Sequence, residues 1–222
     1  MRLLLPRPAR VSHWRLRPLL LLILATTAPF ATATAQRLTP ADVARRDGGI
    51  APYTAADVTF MTGMIGHHAQ AVQMSRMAPG NEGSRSVRIL AERIAVAQQD
   101  EIAFMQRWLR ERDHPVPSAD AAHDHSEHAE HATMMPGMLT AAELAQLQSA
   151  RGTAFDRLFL TLMIKHHAGA LTMVEQLLAS PGAAQDDDVY KFVSDVNADQ
   201  DTEIARMRLM LESLPATSAP RR

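Results

Sequence analysis

Phe60-Met61-Thr62-Gly63-Met64-Ile65-Gly66-His67-His68-Ala69 and Phe159-Leu160-Thr161-Leu162-Met163-Ile164-Lys165-His166-His167-Ala168 are two versions of one segment, 99 residues apart. The same offset pairs Thr54 with Thr153, Asp57 with Asp156, Ala71 with Ala170 and Met74 with Met173. Farther on, Gln98-Gln99-Asp100-Glu101-Ile102 returns as Gln200-Asp201-Thr202-Glu203-Ile204 at an offset of 102, and Met105 falls on Met207. The change of offset belongs in a loop, so each copy reads as one structural unit repeated.

Each unit reads as two helices. Thr54-x-x-Asp57 and Thr153-x-x-Asp156 have the form of capping boxes with Asp in place of Glu. The first helix is expected over 55–78, stopping at Pro79-Gly80, and its counterpart over 154–179, stopping at Pro181-Gly182. Met61, Met64, Ile65, His68, Ala71 and Val72 share one arc of the first, with Gly63, Gly66, Gln70 and Gln73 opposite. The second helices are expected over 84–112 and 186–213. They turn Ile94, Gln98, Glu101, Ile102, Met105 and Trp108 inward in one copy, and Val196, Gln200, Glu203, Ile204, Met207 and Met210 in the other. Thr140-x-x-Glu143 opens a short extra helix over 141–150. No stretch reads as a strand. Two such hairpins make an all-α, antiparallel four-helix bundle with a pseudo-two-fold axis.

The rest of the 222 residues arrange themselves around that core. Residues 1–35 hold five arginines and no acid, then the apolar run Leu19–Ala25, then Ala33-Thr34-Ala35. That is the layout of a secretory signal peptide cleaved before Gln36. The mature protein is then exported, periplasmic or secreted, with no membrane attachment. Residues 36–52 read as a flexible lead-in, 53–112 as the first hairpin and 140–214 as the second, the two forming one domain. Residues 113–139 lack apolar periodicity and read as a mobile His/Met-rich linker, and 215–222 as a disordered tail. The net charge of −1 leaves −6 on the chain beyond residue 35, which argues against a nucleic-acid binder. Cysteine is absent, excluding a disulfide framework, thiolate metal sites and a Cys nucleophile.

Thirteen methionines and ten histidines are the unusual part of the composition. On a helix, Met64, His67 and Met74 lie on one stripe with Ala71 between, and Met163, His166 and Met173 repeat it. Thioether and imidazole together suit copper, Cu(I) and Cu(II), better than Mg²⁺, Ca²⁺ or Mn²⁺. The competing reading is ordinary core filling by Met, with the histidines bonded by Gln98, Glu101, Gln200 or Glu203. Burying four histidines for packing alone is costly, and this keeps the metal reading level with it. His68 and His167 share a stripe with Ile65, Val72, Ile164 and Leu171 and read as supporting residues more than direct ligands. Glu101 and Glu203 either orient the histidines or ligate metal themselves. A second group lies in the linker: His114, His123, His125, His128, His131, Met134, Met135 and Met138. Such a tract can wrap Cu²⁺, Zn²⁺ or Ni²⁺, so zinc is a further metal expected there. The lone Glu-x-x-His, Glu111 to His114, sits at a helix end and is not repeated, which disfavours di-iron chemistry.

The repeated Met-Ile-x-His-His, the Gln-x-x-Glu-Ile and Pro136-Gly137-Met138 ahead of Ala154-Phe155-Asp156-Arg157-Leu158-Phe159 resemble the family known as domain of unknown function 305. The resemblance covers 53–112 and 134–213. It implies a ferritin-like four-helix bundle and, from its CopM-like exported copper-binding proteins, a role in copper tolerance. It carries a metal role to Met64, His67, His68, Met74, Met163, His166, His167 and Met173, and matches Glu101 and Glu203 to the family's helix-two position. The function expected is copper sequestration, transfer or tolerance without catalysis. Its partners would be metal ions, with a metallochaperone or efflux system as the protein partner. The alternatives are a metal-dependent oxidase and a non-covalent haem protein in the bundle core.

Overall fold

The computed structural model describes residues 52–118 and 135–215. The expected signal peptide, nearly all of the lead-in, His123, His125, His128, His131 and Met134 of the linker, and tail residues 216–222 lie outside the described residues. Among the described residues there are five helices and no strand. They are α1 (Ala55–Arg76), α2 (Arg85–Glu111), α3 (Ala141–Ser149), α4 (Gly152–Leu178) and α5 (Asp187–Ser213), and they form a helical bundle.

The caps explain where the helices begin. Thr54 and Asp57 form the expected capping box on α1, and Thr140 and Glu143 do so on α3. Ser84 caps α2 through Val87 N, and Asp186 caps α5 through Asp188 N and Val189 N. The box expected at Thr153 and Asp156 does not form. Helix α4 starts earlier, at Gly152 in the left-handed region (φ 56°), and Arg151 supplies no side-chain cap. The reason lies in the Asp156 carboxylate, which accepts instead from Ser84 N at 3.0 and 3.3 Å, at the start of α2.

Helix α1 packs along α2, α4 along α5, and α1 against α4, with α3 laid on α4. The core falls into two apolar clusters. One joins Phe60 and Met64 of α1 to Met105 and Trp108 of α2, Met173 of α4 and Phe192 of α5. The other joins Met74 of α1 to Leu90 and Ile94 of α2, Phe159 and Met163 of α4 and Met207 of α5. Between the clusters, along α1 and α4, lie His67, His68, His166 and His167, all fully buried. The bundle is therefore apolar at both ends and polar at its waist. Among the described residues no helix is long and apolar enough to cross a membrane.

Candidate metal centre

Consecutive helical residues point about 100° apart, so each His-His pair addresses two directions. His67 and His166 meet between α1 and α4, with ring centroids 3.9 Å apart and planes tilted by 41°. His68 and His167 turn toward α2 and α5. His167 Nε2 is hydrogen-bonded to Glu203 Oε2 at 2.7 Å. Glu101 Oε2 lies 2.8 Å from His68 Nε2, in contact but off the line a hydrogen bond needs. His67 Nε2 lies 3.0 Å from the Pro136 carbonyl. A carbonyl only accepts, so Nε2 of His67 carries the proton and Nδ1 presents its lone pair.

That lone pair has no partner. Nδ1 of His67 and His167, and both ring nitrogens of His68 and His166, are buried without a hydrogen bond. An orphaned buried polar atom costs about 1–3 kcal/mol, so six in one layer ask for an explanation. Burial holds the His67 imidazolium down to a pKa of about 3, helped by the charges of His68 and His167 and opposed by the Pro136 bond. Burial, with His67, His167 and His68 beside it, holds His166 well below the usual range. Both rings are neutral near pH 7, the state a metal ligand requires.

Met64, Met74 and Met163 are fully buried and Met173 nearly so. The stripe read along one helix is divided in space: Met64 and Met173 belong to one apolar cluster, Met74 and Met163 to the other. Gln98 and Gln200 are buried, with both amide atoms of Gln98 and Oε1 of Gln200 unpartnered. Among the described residues no three His, Asp or Glu side chains converge closely enough to hold a metal ion. A site here has to recruit thioethers. Of the linker group, His114 bonds Tyr53 Oη at 3.2 Å beyond the end of α2, away from the histidine layer in sequence and in its partners. Met138 closes a turn onto the Met135 carbonyl at 3.3 Å.

The segment 135–139 is not a free linker but a strap across α1 and α4. Gln70, expected on an outer face, is buried and holds it, accepting from Leu139 N at 2.7 Å and donating to Leu139 O at 3.1 Å. Gly169 lets the strap touch α4, since a Cβ there would lie 2.1 Å from the Pro136 carbonyl oxygen. Gly137 sits at φ 77°, where a side chain would also run into the Lys165 and His166 carbonyls at 2.8 Å. Sequence reasoning missed Gln70, Gly169 and the Pro136 carbonyl. A helix-interior glycine following a His-His pair, and the Pro-Gly before Met138, were the signals available.

On the other side, α2 and α5 leave a groove of about 500 Å³ lined by Asp100, Glu101, Phe104, Phe192, Asp195 and Asp199, among others. Burial raises the Asp199 pKa, and the charges of Glu101, Glu203 and Asp195 raise it further. The carboxylates that face His68 and His167 therefore stand beside an acidic opening to solvent.

Residues 57–211 match the family described as Domain of unknown function (DUF305). No curated protein matches the chain significantly. Its fold is shared by solved proteins, three of which follow. A DUF305 fragment from Deinococcus radiodurans is 31% identical, with 73% of this chain and 99% of that chain covered and a TM-score of 0.63. A DUF305 protein from Streptomyces coelicolor, whose name marks it as a candidate secreted protein, is 28% identical over 75% of this chain and 98% of that chain, with a TM-score of 0.61. CopM in its Cu(II)-bound form is 27% identical over 70% of this chain and 95% of that chain, with a TM-score of 0.55. CopM is also known in a Cu(I)-bound form, 26% identical with a TM-score of 0.54, covering 72% of this chain and 97% of that chain. With a family match running from the first turn of α1 to the last turn of α5, the chain belongs to the DUF305 family.

Proposed function

We propose that this protein binds copper outside the cytoplasm, in sequestration, transfer or tolerance, through the Met and His side chains of α1 and α4. The observation that carries the reading is the layer of buried, neutral imidazoles with unpartnered nitrogens. A metal-ligating His typically gives its other N–H to a carboxylate or a backbone carbonyl. His167 with Glu203 and His67 with Pro136 have that arrangement, each leaving Nδ1 free. Met64 and Met173 on one side of that layer, and Met74 and Met163 on the other, add soft donors, the chemistry that favours Cu(I). The likeness to CopM, seen with Cu(I) and with Cu(II), supports the choice of metal. The acidic groove would concentrate cations beside Glu101 and Glu203.

The architecture goes with this reading. The bundle is a ferritin-like, antiparallel four-helix one, built from a duplicated hairpin in which α1 and α2 correspond to α4 and α5. Export through residues 1–35 places it in the periplasm or outside the cell. The linker histidines form an accessory site for Cu²⁺ or Zn²⁺, and a metallochaperone or efflux system is the partner for transfer. The protein stores or passes metal and does not catalyse.

The test is competitive titration of the chain from Gln36 onward against a Cu(I) chelator. Replacing Met64, Met74, Met163 and Met173 by Leu keeps volume and apolarity, so each costs less than about 1.5 kcal/mol of stability. Cu(I) affinity should fall at least ~10-fold, the equivalent of 1.4 kcal/mol. A folded variant that holds Cu(I) as tightly as the parent would show that these methionines only pack the core.

A further inference from the structure

We infer that Met135, which lies outside the repeated helices, is a thioether ligand of the bundle site; the inference rests on the copper reading above. Its seat is built by two glycines of α1. A Cβ on Gly63 would lie 3.5 Å from Met135 Sδ and 3.5 Å from Met173 Cε, and one on Gly66 would lie 4.0 Å from Met135 Cε. Met135 and Met173 thus converge on one point of α1, and the atom of Met135 resting there is its sulfur. Met135 packs on the cluster that holds Met64 and Met173. The carbonyl of the next residue in the chain, Pro136, accepts from His67 Nε2 and so leaves Nδ1 of that ring as the open lone pair.

The strap is held firmly enough to place a ligand. Gln70 bonds both backbone groups of Leu139, and Pro136-Gly137 lies against Gly169 with no room for another atom. Glycine within a helix costs roughly 1 kcal/mol relative to Ala, so two of them in α1 are a stability loss that packing alone does not require. The space they leave is filled by a soft donor one residue from the carbonyl that sets the His67 tautomer.

The seat exists once. At the positions of α4 equivalent to Gly63 and Gly66 stand Leu162 and Lys165. The Met135 seat therefore serves the end where Met64 and Met173 lie and has no counterpart built by glycines where Met74 and Met163 lie.

The experiment compares the chain from Gln36 onward with its Met135→Leu variant, by Cu(I) competition and by copper X-ray absorption at one equivalent of Cu(I). Expected are a loss of tenfold or more in Cu(I) affinity and one sulfur fewer around copper. Should Leu disturb the strap, Met135→Gln keeps the length without the sulfur and is read the same way. Unchanged affinity and sulfur count in a folded variant overturn the inference. The four-Leu variant separates the two claims. If it loses Cu(I) while Met135→Leu does not, Met135 only packs; if neither loses Cu(I), the bundle reading fails with it.

Discussion

At the scale of single residues, two aspartates tie the hairpins together. Asp57, fully buried, closes its own cap and also accepts from Ala184 N at 2.7 Å, just ahead of α5. Asp156 accepts from Ser84 N at the start of α2. Each carboxylate at the start of α1 or α4 thus satisfies a backbone N–H beside the loop of the other hairpin. Asp57→Ala removes a cap worth ~1 kcal/mol and strands a buried N–H at about 1–3 kcal/mol. Chemical denaturation should show a loss of roughly 2–4 kcal/mol with the m-value unchanged. The buried histidines make a second prediction, for metal-free protein. In the unfolded chain they take up protons as pH falls through about 6.5, whereas folded His67 stays neutral down to about 3. Between those values the unfolded state binds more protons, so stability is present above the unfolded pKa and is lost as pH falls toward the folded one. Melting temperature, followed with a chelator present from about pH 7.5 to about pH 5, should fall. His67→Gln should flatten that fall, and an equally steep slope in the variant would contradict the assignment.

At the scale of elements, the glycines of α1 and α4 look alike in sequence and differ in what they meet. A Cβ on Gly169 would enter the Pro136 carbonyl and the Gly137 Cα at 2.1 and 2.4 Å, both backbone and both pinned. Gly169→Ala should therefore dislodge the strap and cost at least ~2 kcal/mol, as overpacking does. Amide exchange at Leu139, whose N–H bonds Gln70, is the local readout. Gly66→Ala meets only the end of the Met135 side chain at 4.0 Å. It should stabilise α1 by about 0.5–1 kcal/mol through helix propensity. Equal effects of the two substitutions in thermal unfolding would mean that the strap does not touch α4 as described. The helix ends are joined as well. Arg112, at the end of α2, bonds Asp186 Oδ2 at 2.5 Å while Asp186 caps α5, and its guanidinium lies 4.3 Å from the Trp108 ring centroid.

At the scale of the whole molecule, polar residues concentrate where an ordinary bundle is driest. The two apolar clusters supply the folding energy at either end, and the waist between them holds the histidines, Gln98 and Gln200. The strap closes one side of that waist and the acidic groove opens the other. Every contact named in this design is made by residues 52–118 and 135–215. Deleting 120–133 should leave the helical circular dichroism and the Cu(I) affinity unchanged, while weakening Cu²⁺ and Zn²⁺ binding, since those ions favour imidazole. Loss of Cu(I) affinity on that deletion would move the main site into the linker.

Helical class and helix bounds were legible from local sequence because caps and apolar periodicity act within a few residues. Thr54 with Asp57, and Thr140 with Glu143, start α1 and α3 at the residues expected, and the observed ends fall within about two residues of those read from the pattern. That the repeated Met and His residues lie on helices was legible for the same reason. What needed the tertiary structure was every relation between segments distant in the chain. Spacing along one helix could not show that Met64 joins Met173 while Met74 joins Met163, because that depends on how α1 crosses α4. Nor could it show that Asp156 abandons its own cap for Ser84, or that 135–139, which lacks any periodicity, packs over His67. Those contacts are made by backbone carbonyls, by glycines that leave room and by single polar side chains. They leave no repeating pattern, and only the folded arrangement decides which partner each one finds.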